Sequence, residues 1–217
     1  MKLKLAILPL CLIALQVFGF EGTIKQTVKN YNGTGNDVTM TWFLSAHNCR
    51  VDMAATGKDL KAASNTVLLL DPTAKTLRTY EAGGAGEKVY FQVSASAISG
   101  DATNIGVTKS TETKKIQGYN CEKWTVNAGG SSYDVWITRD IDFDAVAYRD
   151  FFKGSMEIQA LAQQGVKGFA LLTESHSGAN ASTVEKVAAQ AVPASTFAVP
   201  SDYKQYVAQT AASKAGK

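Results

Sequence analysis

Period-two alternation of apolar and polar side chains runs through most of this chain, and that periodicity predicts strands. Phe20, Gly22, Ile24, Gln26 and Val28 alternate with Thr23, Lys25, Thr27 and Lys29, the signature of a half-buried strand. After the turn-rich "NYNGTGND", Val38, Met40, Trp42 and Leu44 alternate with Thr39, Thr41 and Ser45. At "SAHN" the phase flips, and Cys49, Val51 and Met53 become the apolar set. A bulge or tight turn belongs there, because one flat strand would expose one of the two sets.

"NTVLLLDPTAKTLRTY" predicts a hairpin turning at Asp71-Pro72, and "EKVYFQVSA" a further strand with an ambiguous continuation over 93–100. "TETKK" reads as a charged turn, followed by a second hairpin in which 116–126 and 133–138 flank "NAGGSS" and carry Trp124 and Trp136. The last two strands fall at 169–175 and 183–189, around "HSGANA". Only "DIDFDAVAYRDFFKG" and "SMEIQALAQQG" look helical, with Asp142 or Asp144 as a cap, Gly154 as a stop and Gly165 ending the second helix. Seven or more antiparallel strands with late helices define an α+β class in which one sheet face needs a cover.

The N-terminus changes the picture of where this fold works. Lys2 and Lys4 precede an apolar run over 5–18 broken by Pro9, which reads as a secretory signal, residues 1–19, cleaved near Gly19. The run is shorter than the roughly 20 residues that span a bilayer, and no later segment approaches that length, so no membrane span is expected after cleavage. Residues 20–203 then form one domain, and the polar, alanine-rich 204–217 is expected to be a disordered tail. With the signal removed, 20 basic residues face 19 acidic ones. That near-neutral balance argues against nucleic acid, which needs a clustered basic surface.

Cys11 leaves with the signal, so Cys49 and Cys121 are the cysteines of an exported chain, and an even pair there reads as a disulfide closing a 72-residue loop. Two separate buried thiols are the alternative, since bonding needs Cα atoms within about 7 Å. His47 and Cys49, two apart on an extended segment, would face the same side and with Cys121 and His176 compose a Cys2His2 zinc set, but zinc ligands usually come in close-spaced pairs and export favours the disulfide. Asp140, Asp142 and Asp144 imitate the start of a calcium loop, but Ala145 and Phe151 occupy its glycine and glutamate positions, which favours helix capping. "AGGAGEK" lacks the Lys-Ser/Thr ending of a phosphate loop and reads as a connector. Asn32 and Asn180 sit in glycosylation sequons that are equally ordinary turns. Neither histidine lies near a recognisable nucleophile turn, so no catalytic set, metal or cofactor is expected.

The order of motifs resembles a family of secreted bacterial domains of unknown function (DUF4412-like). The residues that carry the likeness are Ile116, Gly118, Tyr119 and Cys121, the "WITRD" at 136–140, Gly168 and Phe169, and Phe197, Pro200 and Tyr203 in a closing Phe-x-x-Pro-x-x-Tyr. "NCRVDM", "LLLDPTAKT" and "STFAVP" are also similar to LolA-type periplasmic lipoprotein carriers. That resemblance implies a strongly curved antiparallel sheet, an unclosed barrel, with a short helical lid on its concave face. It also implies a periplasmic or secreted, non-enzymatic protein that binds a lipid, a lipoprotein acyl chain or another apolar ligand. Trp42, Leu44, Trp124, Trp136 and Phe169 are then the candidates to line its cavity, against simple core packing. A structural or sensory envelope module with a core filled by its own side chains is the competing expectation.

Overall fold

A computed structural model describes residues 19–29, 35–56, 65–83, 86–99, 105–178 and 181–207. The expected signal (but for Gly19), both sequons' asparagines, part of the glycine connector and residues 208–217 lie outside them.

The alternating segments become strands of one sheet. Its N-terminal meander comprises β1 (Gly22–Lys29), β2 (Asp37–Leu44), β3 (Cys49–Thr56), β4 (Asn65–Asp71), β5 (Thr76–Ala82) and β6 (Val89–Ser94). A second meander follows with β7 (Gly106–Ile116), β8 (Tyr119–Ala128), β9 (Ser131–Thr138), β10 (Phe169–Ser175) and β11 (Ala181–Ala189), and β12 (Lys204–Gln205) comes last. The spatial order is β12-β6-β5-β4-β3-β2-β1-β11-β10-β9-β8-β7. β1 therefore joins the two meanders, pairing antiparallel with β2 on one side and β11 on the other. The sheet is unclosed: β7 and β12 end it, and the β12–β6 pairing is parallel.

The phase flip at "SAHN" is a tight turn. Ser45 N donates to Asn48 O at 3.0 Å, and Leu44 pairs with Cys49. Trp42 then faces Val51, and Met40 faces Met53, so both apolar sets share one side of the sheet. At Asp71 the carboxylate accepts from the amides of Thr73 and Ala74, which turns β4 into β5.

Two sequence expectations are corrected. The lysine- and threonine-rich segment before Gln117 is an 11-residue edge strand, β7, and the turn is Gln117-Gly118, both at positive φ. Most of β7 is exposed, so it shows no apolar alternation, and its charges blunt an open edge. The tail also starts later than expected: Lys204 and Gln205 pair with Val89 and Tyr90, and Tyr206 N donates to Tyr90 O. Tyr203 anchors this strap, its ring 4.7 Å from Tyr80 and its hydroxyl donating to Glu81 O. Together they cover Val67 and Leu69 on the face opposite Trp42.

Between β9 and β10 lie two short helices, α1 (Ala145–Tyr148) and α2 (Met156–Gln163). Asp144, one of the two expected caps, caps α1 through Ala147 N, and Ser155 caps α2 through Ile158 N. Gly168 returns the chain to the sheet at φ +155°, where a Cβ would stand 2.7 Å from Thr138 O, so only glycine fits. Among the described residues no helix is long and apolar enough to cross a membrane.

The sheet is rolled. Trp42 on β2 and Phe169 on β10 are three strands apart, about 14 Å on a flat sheet, yet their ring centroids lie 5.4 Å apart.

Candidate functional site

Rolling the sheet over the helical segment leaves a hollow of about 700 Å³. Leu77 of β5 and Tyr133 of β9 both border it. On a flat sheet they would be about 34 Å apart, so the hollow exists only because of the curvature. Its floor is the β1–β5 face that carries Met40, Trp42, Met53 and Leu68; its other wall is the helical segment with Phe152 and Met156.

Trp42 is the hinge of this wall. Its ring meets Phe143 at 6.2 Å, Phe152 at 5.4 Å and Phe169 at 5.4 Å, so one sheet indole packs against three aromatics brought by the α1–α2 segment and β10. Phe143 stacks on Tyr148 at 5.0 Å, continuing the cluster toward α1. The Trp42 indole N–H donates to Gln26 Oε1 at 3.0 Å, and Gln26 Nε2 donates to Ser182 Oγ at 2.5 Å. A polar relay thus crosses β2, β1 and β11 beneath an apolar surface, and it fixes the tryptophan rotamer.

Three of the chain's four methionines, Met40, Met53 and Met156, line the hollow from β2, β3 and α2. Unbranched thioether side chains adapt to irregular apolar shapes, which suits a surface meeting a variable partner. These residues are only half-buried although they face inward.

Of the five residues expected to line a cavity, Trp42 and Phe169 do. Leu44, Trp124 and Trp136 do not border it; all three are buried in the core. Trp136 lies under the Lys114 ammonium, 3.9 Å from its ring centroid, and the indole N–H groups of Trp124 and Trp136 have no hydrogen-bond partner among the described residues. Met40 and Met53 belonged to the alternating sets read from sequence, so their side of the sheet was visible, but their place at an unfilled surface was not, and Met156 lies on a helix that no alternation marked.

The disulfide is not formed. Cys49 on β3 and Cys121 on β8 are free, buried thiols six strands apart along the sheet. Counting cysteines cannot measure that distance. Burial pushes the Cys49 thiol far up and raises Cys121 as well, so both stay protonated and unreactive at neutral pH. His47 is exposed in the β2–β3 turn, whereas His176 lies 3.1 Å from Asp134 at the other end of the molecule's meander pair. The four residues of the conceivable zinc set are therefore not gathered at one place.

A family model described as "Domain of unknown function (DUF4412)" matches residues 20–203. Among solved structures, the chain is similar to PNGF-II in its P21 and C2 space groups, at 15% and 16% identity and a TM-score of 0.47 for each. The alignments cover 87% and 88% of this chain but 31% of PNGF-II, so the chain spans about a third of that protein's length. No curated protein matches the chain.

Proposed function

We propose, for a chain that belongs to the DUF4412 family of domains of unknown function, a non-enzymatic role as a binding protein for apolar ligands, working in the periplasm or outside the cell after export. The observation that carries this reading is the hollow of about 700 Å³ bordered by Met40, Met53, Met156, Trp42 and Phe152. It is of the size of small-molecule sites, roughly 300–1,000 Å³, and it is lined mainly by apolar side chains with few polar groups. An acyl chain gains about 0.8 kcal/mol for each methylene it buries, so such a surface favours lipids and lipoprotein acyl groups. In this reading the rolled sheet is a carrier-like half-barrel of the LolA kind, and the α1–α2 segment is the lid on its concave face.

A core filled by its own side chains would support the competing structural or sensory module; half-buried inward methionines do not favour it. The test is uptake of a neutral apolar dye, N-phenyl-1-naphthylamine, by the purified protein after delipidation. Saturable fluorescence enhancement, competed by long-chain lipid and weakened in Trp42→Ala, is expected. Enhancement that never saturates, or that Trp42→Ala leaves untouched, would remove the proposal.

A further inference from the structure

One charged side chain sits where an apolar hollow alone gives it no purpose. Lys153 follows Phe151 and Phe152 in the segment between α1 and α2, lines the hollow and is half-buried. Its ammonium donates to Ile98 O at 2.6 Å. Two of its three N–H donors remain, and no carboxylate among the described residues forms an ion pair with it.

Neither neighbouring acid pairs with Lys153 among the described residues. Glu157, which also lines the hollow, accepts from Ser155 Oγ at 3.0 Å. Asp150 lies 3.9 Å from Lys75 and 3.6 Å from Arg149. Placing an ammonium against apolar surface without a counter-charge is costly, and a ligand that brings one relieves that cost. The first turn of α2, residues 156–158, borders the same place, and its amide ends add a favourable field for negative charge.

Resting on the apolar-ligand reading, we infer that the ligand is a single-chain amphiphile with an oxyanion head: the chain lies among Met40, Met53 and Met156, and the head meets Lys153. A fatty-acid carboxylate and a lipid phosphate share this chemistry. The plain alternative is that Lys153 only ties the helical segment to the β6–β7 connection through Ile98.

The experiment compares hexadecanoate, hexadecyl phosphate and hexadecanol as competitors of bound N-phenyl-1-naphthylamine on the full-length protein. Both anions are expected to bind about tenfold or more tighter than the alcohol, the worth of a charge-assisted hydrogen bond. Lys153→Met should bring the anions down to the affinity of hexadecanol, and Lys153→Arg should keep the gap; dye uptake by Lys153→Met shows that it is folded. Whichever anion binds better names the source of the head, free acid or phospholipid, and supports the inference. Equal binding of acid and alcohol by the unsubstituted protein, or a gap that survives in Lys153→Met, overturns the inference while leaving the apolar site standing. If neither the dye nor any of the three binds, the apolar-ligand reading falls and takes this inference with it.

Discussion

The two meanders use the same sheet in opposite ways. In β8–β10, Val126, Val135, Ile137 and Leu171 are fully buried, and all of 135–138 on β9 is enclosed on both faces. In β2–β5, Met40, Met53, Leu68 and Leu77 also point inward but remain half-buried, because the helical segment meets them only across the hollow. The cause is local. The β7–β8 tip reaches back over the second meander, with Gln117 Nε2 donating to Val184 O at 3.4 Å, and α2 lies against β8. Over the first meander, the C-terminal strap covers the other face, around Tyr80, and the inner face is closed at Trp42, Leu44, Cys49 and Val51 but open at Met40, Met53, Leu68 and Leu77. One half of the sheet is thus a packed scaffold and the other a surface held ready by it.

The coarsest way to break this contrast is a covalent tie between the halves, since Cys49 belongs to one meander and Cys121 to the other. A bridge closing that 72-residue loop would be worth on the order of 4 kcal/mol. We expect none: a thiol reagent should find both cysteines unreactive in the native protein and both reactive in denaturant, and reductant should leave the unfolding midpoint unmoved. Next in size, Ile137→Ala should cost about 2–5 kcal/mol in urea unfolding, whereas Met53→Ala should cost about 1–2, because the second site is already partly empty. Equal losses would mean that the hollow is as tightly packed as the scaffold.

Gln26→Leu strips the partner from the Trp42 N–H and from Ser182, so it should cost about 1–3 kcal/mol and loosen dye binding together with stability. Filling experiments sharpen the comparison further. Leu68→Phe should be tolerated within about 1 kcal/mol while reducing dye uptake, and Val135→Phe should cost about 1–3 kcal/mol.

The smallest effect is electrostatic and belongs to the second meander. Burial opposes ionisation of Asp134, but Lys123 and His176 outweigh it and hold the carboxyl below its usual range; Lys109 and Arg139 do the same for Glu122. Groups depressed in the folded state stabilise it above the ordinary carboxylate pKa of about 4, and that contribution is lost as pH falls through the lower folded values. Several partners are half exposed, so each carboxylate should contribute less than about 1 kcal/mol. Urea titrations below pH 4 should show this acid loss, reduced in an Asp134→Asn, Glu122→Gln double variant.

Much of this architecture was legible along the chain. Alternation located most strands, the flip at 45–48 located a turn, the Asp142 or Asp144 cap marked the start of the first helix and Gly165 the end of the second, because side-chain period and capping are local properties. β7 escaped because this mostly exposed edge strand half-buries only Val107, Ser110, Lys114 and Ile116, an irregular spacing that leaves no period to read.

What the residues determined unaided was which side of each strand is apolar and where the chain turns, since both depend on neighbours two to four positions away. Which inward side chains meet a partner and which face empty space was decided by the rolling of twelve strands and by where one helical segment came to rest. Trp136 and Trp42 sit in equally convincing alternating runs, yet one is packed under Lys114 and the other borders the hollow, because cavity walls are made by residues far apart in the chain.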